Sequence, residues 1–266
     1  MQTCIDELQK TYPNVTYRAL KLDLSSQEAV RAAAAEVLSW DDLPAIHIVV
    51  NSAGVMNLPE RILSPDGIEM TFATNHVGHF LFTNLIMPKV IAAAKNSEKG
   101  ATRIINVTSL SPTRAGIRWS DLNFEKVNKT LPADEQPDYN MLKFWGAVDS
   151  EEKSYVPIEA YNQSKVANVL FSIGLNSRFY ESHGILSFAV HPGIIMTELS
   201  RNVDEATGKA LEGILKTPGL YVKTLGAGAS TSVVATSDDK CFCVLRSLNI
   251  GKVSVLFFSS LKVYAI

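Results

Sequence analysis

Apolar and polar positions divide most of the chain into short apolar runs and longer amphipathic stretches. The short runs are rich in β-branched and aromatic residues and predict four strands: VTYRALKLD (15–23), AIHIVV (45–50), TRIINVT (102–108) and ILSFAV (185–190). The longer stretches predict helices over 2–11, after a cap at Ser25 or Ser26, over about 66–95, over about 157–182, and through most of the chain up to about 236. Strands that alternate with helices indicate parallel βαβ units, and right-handed crossovers place helices on both faces of one sheet. We therefore predict an α/β fold with a doubly wound parallel sheet.

The chain of 266 residues is long enough for one such domain with a full core. A polar insertion occupies 111–155, and the segment 240–266 is atypical because it does not continue the alternation. Within that tail we expect one buried strand near 253–258, since its apolar run is too short to span a bilayer. We expect a single domain over 1–266, without a signal peptide or a transmembrane span.

Composition and charge narrow the function classes. The chain is 46% hydrophobic, its formal net charge is −2, and its pI is about 6.2, which argues against a nucleic-acid surface. Cys4, Cys241 and Cys243 form no disulfide or zinc framework, so we expect a reducing compartment and therefore the cytoplasm. His76 and His79 could share a helix face, but no further ligand accompanies them, and we expect no metal.

Small or polar residues follow three of the predicted strands. These are the sequences NSAG (51–54), TSLS (108–111) and HPG (191–193). Ligands of open α/β sheets bind outside the carboxyl ends of the strands. We expect these three endings to form one ligand site.

The stretch YNQSK (161–165) places a phenol and an ammonium one helical turn apart. A nearby cation favours phenolate, so Tyr161 beside Lys165 could give or take a proton at a carbinol oxygen. Ser109, beyond a strand end, could donate to a carbonyl oxygen as charge develops there. These roles fit hydride chemistry with a nicotinamide. Taken singly, each residue also fits a structural role in a helix or a turn.

Together these residues resemble a known family. Asn51-Ser52-Ala53-Gly54, Asn75 in ATNHVGHF, Ser109 in IINVTS, YNQSK, and HPGIIMT ending at Thr197 follow the order and spacing of the short-chain dehydrogenase/reductases. The resemblance covers about residues 1–237 and departs at Ser52, where the family has a second Asn. The insertion sequence RWSDLNFEKVN and the later AYNQSK are most similar to the retinol-dehydrogenase and fungal carbonyl-reductase branch.

This resemblance implies a Rossmann-like fold and a role for each matching residue. Tyr161 would be the acid/base, Ser109 would polarise the carbonyl, and Lys165 would lower the pKa of Tyr161 and hold the nicotinamide ribose. Asn75 would hold a water that links Lys165 to solvent. The other matching residues would contact the cofactor: Asp23 near the adenine, Asn51, Ala53 and Gly54 along its length, and Pro192, Gly193 and Thr197 near the nicotinamide amide.

The implied activity is hydride transfer between a nicotinamide cofactor and a carbonyl or alcohol substrate. The resemblance favours NADP(H) over NAD(H), and a homodimer is an expected state because relatives often pair through two of their helices. Aromatic residues of the insertion weakly favour an apolar substrate: Trp119, Phe124, Tyr139, Phe144, Trp145 and Tyr155.

One element of the family pattern does not occur in these 266 residues. The phosphate loop Thr-Gly-x-x-x-Gly-x-Gly is absent, and with it the first strand, the first helix and the second strand. We therefore expect a chain truncated at its N-terminus that binds NADPH weakly. Either 15–22 pairs directly with 45–50, or the latter becomes an exposed apolar edge.

Three other functions remain as alternatives. The first is an inactive remnant or non-enzymatic module of the same family. The second is a sugar-nucleotide epimerase or dehydratase, against which the short chain and the Pro-Gly-x-x-x-Thr element argue. The third, a serine hydrolase, lacks the nucleophile elbow around Ser109.

Overall fold

The computed structural model describes residues 2–113, 115–203 and 221–237, together with positions 205, 208–209, 212–213 and 255–256. These residues contain six strands: β1 (Ile48–Asn51), β2 (Arg103–Val107), β3 (Leu186–Val190), β4 (Ile194–Ile195), β5 (Val222–Lys223) and β6 (Val255–Leu256). A parallel sheet has the order β1-β2-β3-β6, and β4 pairs with β5 in a separate parallel ribbon. The α/β fold and the parallel sheet are confirmed.

Seven α-helices have both ends within the described residues: α1 (Gln2–Thr11), α2 (Gln27–Leu38), α3 (Met70–Leu85), α4 (Met87–Ala94), α5 (Tyr139–Phe144), α6 (Pro157–His183) and α7 (Leu225–Ser237). Ser26 caps α2, because its hydroxyl accepts a hydrogen bond from the Ala29 N–H at 3.3 Å. One of the two predicted caps is therefore the one used.

The helix predicted over 66–95 is divided in two. It begins at Met70, because the carboxylate of Glu69 accepts the N–H groups of Thr71 and Phe72. Ile86 leaves helical geometry between α3 and α4, and Pro88 follows, which cannot donate a backbone hydrogen bond. A five-residue π-helical turn also interrupts α3 and contains Asn75.

Helices cover both faces of the central strands. On one face, Val49 and Ile104 pack against α2, α4 and α6. On the other face, Ile105 and Phe188 pack against Ala235 of α7. This arrangement confirms the doubly wound architecture and fixes α6 and α7 beside the ends of β2 and β3.

The predicted strand at 15–23 is wrong. These residues are irregular, and β1 is an edge strand with no described strand on its free side. An extended segment without a neighbour has no partner for its backbone groups, so a good strand sequence alone does not form one. Ile48 and Val50 are 38% and 44% exposed. Of the two alternatives given for 45–50, the structure therefore has the exposed apolar edge and not the pairing with 15–22.

The chain after β3 also differs from its prediction as a helical region. His191-Pro192-Gly193 turns sharply, with Gly193 at φ +94°, and leads into β4. The described positions 205, 208–209 and 212–213 are helical, as is α7, so among the described residues the helical prediction fails at 191–203 and 221–224. The predicted terminal strand is present at β6, which pairs with Ala189 and Val190, and the rest of 253–258 lies outside the described residues.

Across the described ranges, no single helix has the length and apolar character needed to cross a membrane. Only α3 and α4 taken together meet that test, and they are bent by 58° relative to each other.

Candidate active site

A cavity of about 390 Å³ opens at the carboxyl ends of β2 and β3. All three strand endings picked out from the sequence contribute to it, through Ser52 and Gly54, through Thr108 and Ser109, and through 191–193. Tyr161 and Lys165 of α6 complete one wall, and α7 contributes Gly228, Ala229 and Ser232. The sheet therefore gathers the predicted residues at one mouth, as expected for an open α/β fold.

Tyr161 and Lys165 are both buried, at 7% and 4% exposure. The Lys165 ammonium donates to the Val107 carbonyl at 3.1 Å and lies 5.4 Å from the centre of the Tyr161 ring. The Thr108 hydroxyl donates to the Lys165 carbonyl at 2.8 Å, which ties α6 to the end of β2. An ammonium has three donors, so Lys165 keeps donors beyond the one given to Val107.

The pKa values of this pair differ from the sequence-based expectation. Burial lowers the pKa of Lys165 to about 8. Burial also raises the pKa of Tyr161, and the hydrogen-bonding contact with Ser109 opposes that rise without cancelling it. Lys165 was expected to lower the pKa of Tyr161. Its ammonium lies over the ring and is bound to a carbonyl, so desolvation of the phenol outweighs it.

Ser109 is oriented by the turn that follows β2. Its Oγ accepts the Ser111 N–H at 2.9 Å and lies 2.6 Å from the Ser111 Oγ. The Tyr161 phenol is a further partner of the same hydroxyl. Ser109 and Tyr161 are thus brought together from segments 52 positions apart.

Asn75 is fully buried in the π-helical turn of α3. Its Oδ1 accepts the Val55 N–H at 2.8 Å, and its Nδ2 donates to the Val55 carbonyl at 2.9 Å and to the Ser164 Oγ at 3.0 Å. A Cβ on Gly54 would lie 2.9 Å from that Oδ1, so this approach requires glycine. Asn75 joins the loop after β1 to α6, while its predicted water stays a prediction.

Three residues predicted along the cofactor do not line the cavity. Asn51 points into the sheet and donates to Thr83 Oγ1 at 3.0 Å and to Asn106 Oδ1 at 2.8 Å. The Ala53 carbonyl lies 2.9 Å from the Nε2 of His79. Asp23 is exposed and closes a local turn with Ser25, whose hydrogen bonds lower the pKa of its carboxyl.

The residues predicted near the nicotinamide amide, Pro192, Gly193 and Thr197, all line the cavity. The Thr197 Oγ1 accepts the Leu199 N–H at 3.2 Å, which leaves its hydroxyl proton free to donate. A Cβ on Gly193 would lie 2.7 Å from the Cδ of Lys223, so the glycine also admits that side chain.

Sequence reasoning missed two cations at this site. Arg201 lines the cavity, and Lys223 lies across Gly193. Arg201 follows Thr197 by four positions, which is a usable signal, whereas Lys223 reaches the site only through the pairing of β4 with β5. The aromatic residues of the insertion lie elsewhere: Trp119, for example, lines a second groove between α3 and α6. They therefore give no support to an apolar substrate.

The histidines take structural positions. His76 contacts Asn168 at 3.3 Å, and burial lowers its pKa to about 4. Among the residues that the structure describes, no three His, Cys, Asp or Glu side chains converge as a metal site would require.

The residues present fit the nicotinamide end of a dinucleotide. Lys165 has unused donors at the cavity, and the Nδ1 of His191 is buried without a hydrogen-bond partner among the described residues. Polar groups left in this way at a concave surface are typical of a ligand site. Lys165, Ser109 and Thr197 would hold the ribose and the ring.

Comparison with known proteins gives sequence relatives for the chain. A family model described as short chain dehydrogenase matches residues 1–121. Oxidoreductase fscI of Fusarium equiseti is 36% identical over 182 residues, covering 68% of this chain and 67% of that protein. Retinol dehydrogenase 13 of Homo sapiens is 35% identical over 184 residues, covering 69% of this chain and 45% of that protein. Short-chain dehydrogenase TIC 32 A, chloroplastic, of Brassica napus is 35% identical over 223 residues, covering 83% and 59%. The chain thus spans about half to two thirds of these relatives.

Solved structures share the fold at lower identity. A 3-oxoacyl-[acyl-carrier protein] reductase from Brucella melitensis, in complex with NAD, superposes with a TM-score of 0.57 at 23% identity. That match covers 91% of this chain and 79% of the other. A gluconate 5-dehydrogenase from Burkholderia cenocepacia, in complex with NADP and tartrate, gives 0.56 at 20% identity, covering 97% and 80%.

Proposed function

This chain belongs to the short-chain dehydrogenase family, a family of oxidoreductases, and we propose that it transfers a hydride between a nicotinamide cofactor and a carbonyl or alcohol substrate. One observation carries the proposal: Tyr161 and Lys165 of α6 and Ser109 from the turn after β2 meet at one cavity. A buried phenol, a buried ammonium and a strand-end hydroxyl at one concave site are the groups that carbonyl reduction needs.

In this proposal each side chain acts on the substrate oxygen or on its neighbour. The bound nicotinamide supplies or accepts the hydride. Ser109 donates a hydrogen bond to the carbonyl oxygen and stabilises the charge that develops there. Tyr161 transfers a proton to the same oxygen in reduction and takes it back in oxidation. Lys165 binds the ribose and supplies positive charge beside the phenol.

Burial sets the protonation of both side chains. It raises the pKa of Tyr161, so the phenol carries its proton at neutral pH, which is the form that reduction uses. The pKa of Lys165, at about 8, keeps most of the ammonium charged at pH 7, where it can stabilise the phenolate that donation leaves.

Several finer expectations stay predictions: a preference for NADP(H), a single domain over 1–266, the cytoplasm as location, and a homodimer. The solved structures cited above were bound to either NAD or NADP, so both cofactors belong in any assay.

The direct test is a spectrophotometric assay at 340 nm with millimolar NADPH or NADH and a panel of aldehydes and ketones. Loss of the phenol in Tyr161→Phe should lower kcat by about 10²–10⁴-fold, and Ser109→Ala should lower it by about 10²–10³-fold. Tyr155→Phe is the matched control, because that phenol is half-buried and donates to the Leu58 carbonyl outside the cavity. Turnover that survives in Tyr161→Phe at the level of the Tyr155 variant refutes the assignment.

A second candidate is a non-enzymatic module of the same family. Two observations favour it. The edge strand β1 exposes Ile48 and Val50, and Asp23, predicted near the adenine, does not line the cavity. In this candidate the described residues would form the nicotinamide end of a site without a matching adenine end. Wild-type chain with native circular dichroism and no turnover of any carbonyl with either cofactor would select this candidate.

A further inference from the structure

The cavity at the ends of β2 and β3 is lined by cations and hydroxyls. Lys165 and Arg201 line it directly, and Lys223 lies against its wall at Gly193. Among the described residues, no Asp or Glu lines the same cavity. The net formal charge around this space is therefore positive, although the chain as a whole carries −2.

Among the described residues, Arg201 and Lys223 have no neutralising carboxylate. The Arg201 Nη1 donates to the Glu198 carbonyl at 2.9 Å within its own turn. Within the described ranges, no carboxylate makes an ion pair with either residue, whereas exposed cations elsewhere do so, as Arg18 does with Asp42 at 2.7 Å. Two unpaired cations at a concave surface leave charge available for a ligand.

Two further features of the cavity accompany these cations. Burial first, and then the charge of Lys223, lower the pKa of His191 to about 4, which keeps the imidazole neutral. Thr197 and Ser232 line the same space with hydroxyls, which donate well to anionic oxygens.

We infer that Arg201 and Lys223 bind an anionic group of the ligand that occupies this cavity. The inference rests on the proposed function for the rest of that ligand. The anionic group is either a phosphate of the cofactor or a carboxylate of the carbonyl substrate, and both are recognised by the same charge-assisted hydrogen bonds. Gly193 makes the arrangement possible, since any side chain there would displace Lys223.

The test compares binding of five probes by isothermal titration calorimetry at low and high salt. Inorganic pyrophosphate reports on the cationic wall alone. Reduced nicotinamide mononucleotide and dihydronicotinamide riboside differ only in a phosphate. A 2-oxo acid and its methyl ester differ in a carboxylate charge, and turnover of both is followed at 340 nm. The proteins are wild type, Arg201→Gln, Lys223→Gln and the double variant.

Arg178→Gln is the matched control. Like Arg201, Arg178 donates from Nη1 to a nearby backbone carbonyl, which is that of Gly174 at 3.3 Å. Unlike Arg201, it lies in the groove between α3 and α6. Circular dichroism and thermal unfolding establish that every variant is folded.

Each single variant should weaken pyrophosphate binding about tenfold, and the double variant should weaken it further. The wild-type affinity should also fall with salt. A phosphate of the cofactor is the source if the variants lose the mononucleotide but keep the riboside. A carboxylate of the substrate is the source if they lose the preference for the 2-oxo acid over its ester.

Equal binding of pyrophosphate by the double variant, Arg178→Gln and wild type would overturn the inference, as would wild-type chain that binds no anionic probe. Failure of the proposed function looks different. In that case pyrophosphate binding still depends on Arg201 and Lys223, but neither nicotinamide probe binds and no carbonyl turns over.

Discussion

The edge strand β1 and the central strands β2 and β3 differ strongly in burial, although all three are paired in the same parallel way. Val50, Ile105 and Phe188 are neighbours across β1, β2 and β3 on the same face. Ile105 and Phe188 are fully buried under α7, whereas Val50 is 44% exposed. The difference shows that a strand becomes part of a core only where another element covers it.

Buried lysines show the same contrast in chemical terms. On the β1 side, the Lys89 ammonium donates to the carbonyls of Trp40 at 2.6 Å and Leu43 at 2.7 Å and holds the loop before β1. On the cavity side, Lys165 has one described carbonyl partner, Val107, at 3.1 Å. The first lysine is used by the fold, and the second keeps donors for a ligand.

The largest expected effect is on stability and compares two isoleucines on one face. Ile105→Ala should lower the free energy of unfolding by about 2–5 kcal/mol, because it leaves a cavity under α7. Ile48→Ala should cost less than about 1 kcal/mol, because that side chain is already 38% exposed. Urea unfolding measures both. Equal losses would mean that an element outside the described residues covers β1.

Replacing each buried lysine by methionine should have effects of opposite sign at pH 7. Lys89→Met leaves two carbonyls without their donor and should destabilise by about 1–3 kcal/mol. The folded-state pKa of Lys165, about 8, lies below its ordinary value of 10.5, so the wild-type fold is penalised below pH 8 and gains stability as the pH rises from 8 to 10.5. Lys165→Met should therefore be the more stable protein at pH 7, by up to about 3 kcal/mol.

Urea titrations at pH 7 and at pH 9.5 test this pair. The advantage of Lys165→Met over wild type should shrink at the higher pH. An advantage for the Lys165 variant that stays constant between the two pH values would contradict the assignment of a low pKa to the buried ammonium.

The smallest expected effect is at the open side. Val50→Lys should change the free energy of unfolding by less than about 0.5 kcal/mol, since the position is partly solvated. It should reduce self-association, because a lysine on an exposed strand discourages pairing with another chain. Light scattering at increasing concentration, with Ile105→Lys as a fully buried comparison that should unfold, distinguishes solubility from stability.

Much of the site was predictable from the sequence because its residues follow short strands or share one helix face. Tyr161 and Lys165 need only helical periodicity to be neighbours, and Ser109 needs only the end of β2. Asn51 was misplaced because side chains alternate along a strand, and its amide faces Thr83 and Asn106 inside the fold. Lys223 could not be found, since a two-residue pairing brings it to Gly193 from 30 positions away.

The predicted strand at 15–23 is wrong because of what lies beside it, and not because of its own composition. Its composition is as strand-like as that of β1, but a strand is stabilised by a neighbour, and none of the described residues supplies one. The prediction of a single helix over 66–95 is wrong because the apolar periodicity continues through Ile86 and Pro88, whereas the helical backbone is interrupted there.

By itself the sequence determined the class of fold, the helix that carries the phenol and the ammonium, and the strand ends that meet them, because these depend on local periodicity and on the parallel order of strands. The tertiary structure alone decided the ionisation of the site and its charge. Desolvation keeps the proton on Tyr161 and lowers the affinity of Lys165 for its proton. Contacts between distant segments bring Arg201 and Lys223 to a cavity that no described carboxylate lines. Burial and electrostatic potential depend on everything that surrounds a group, and spacing along a chain does not contain that information.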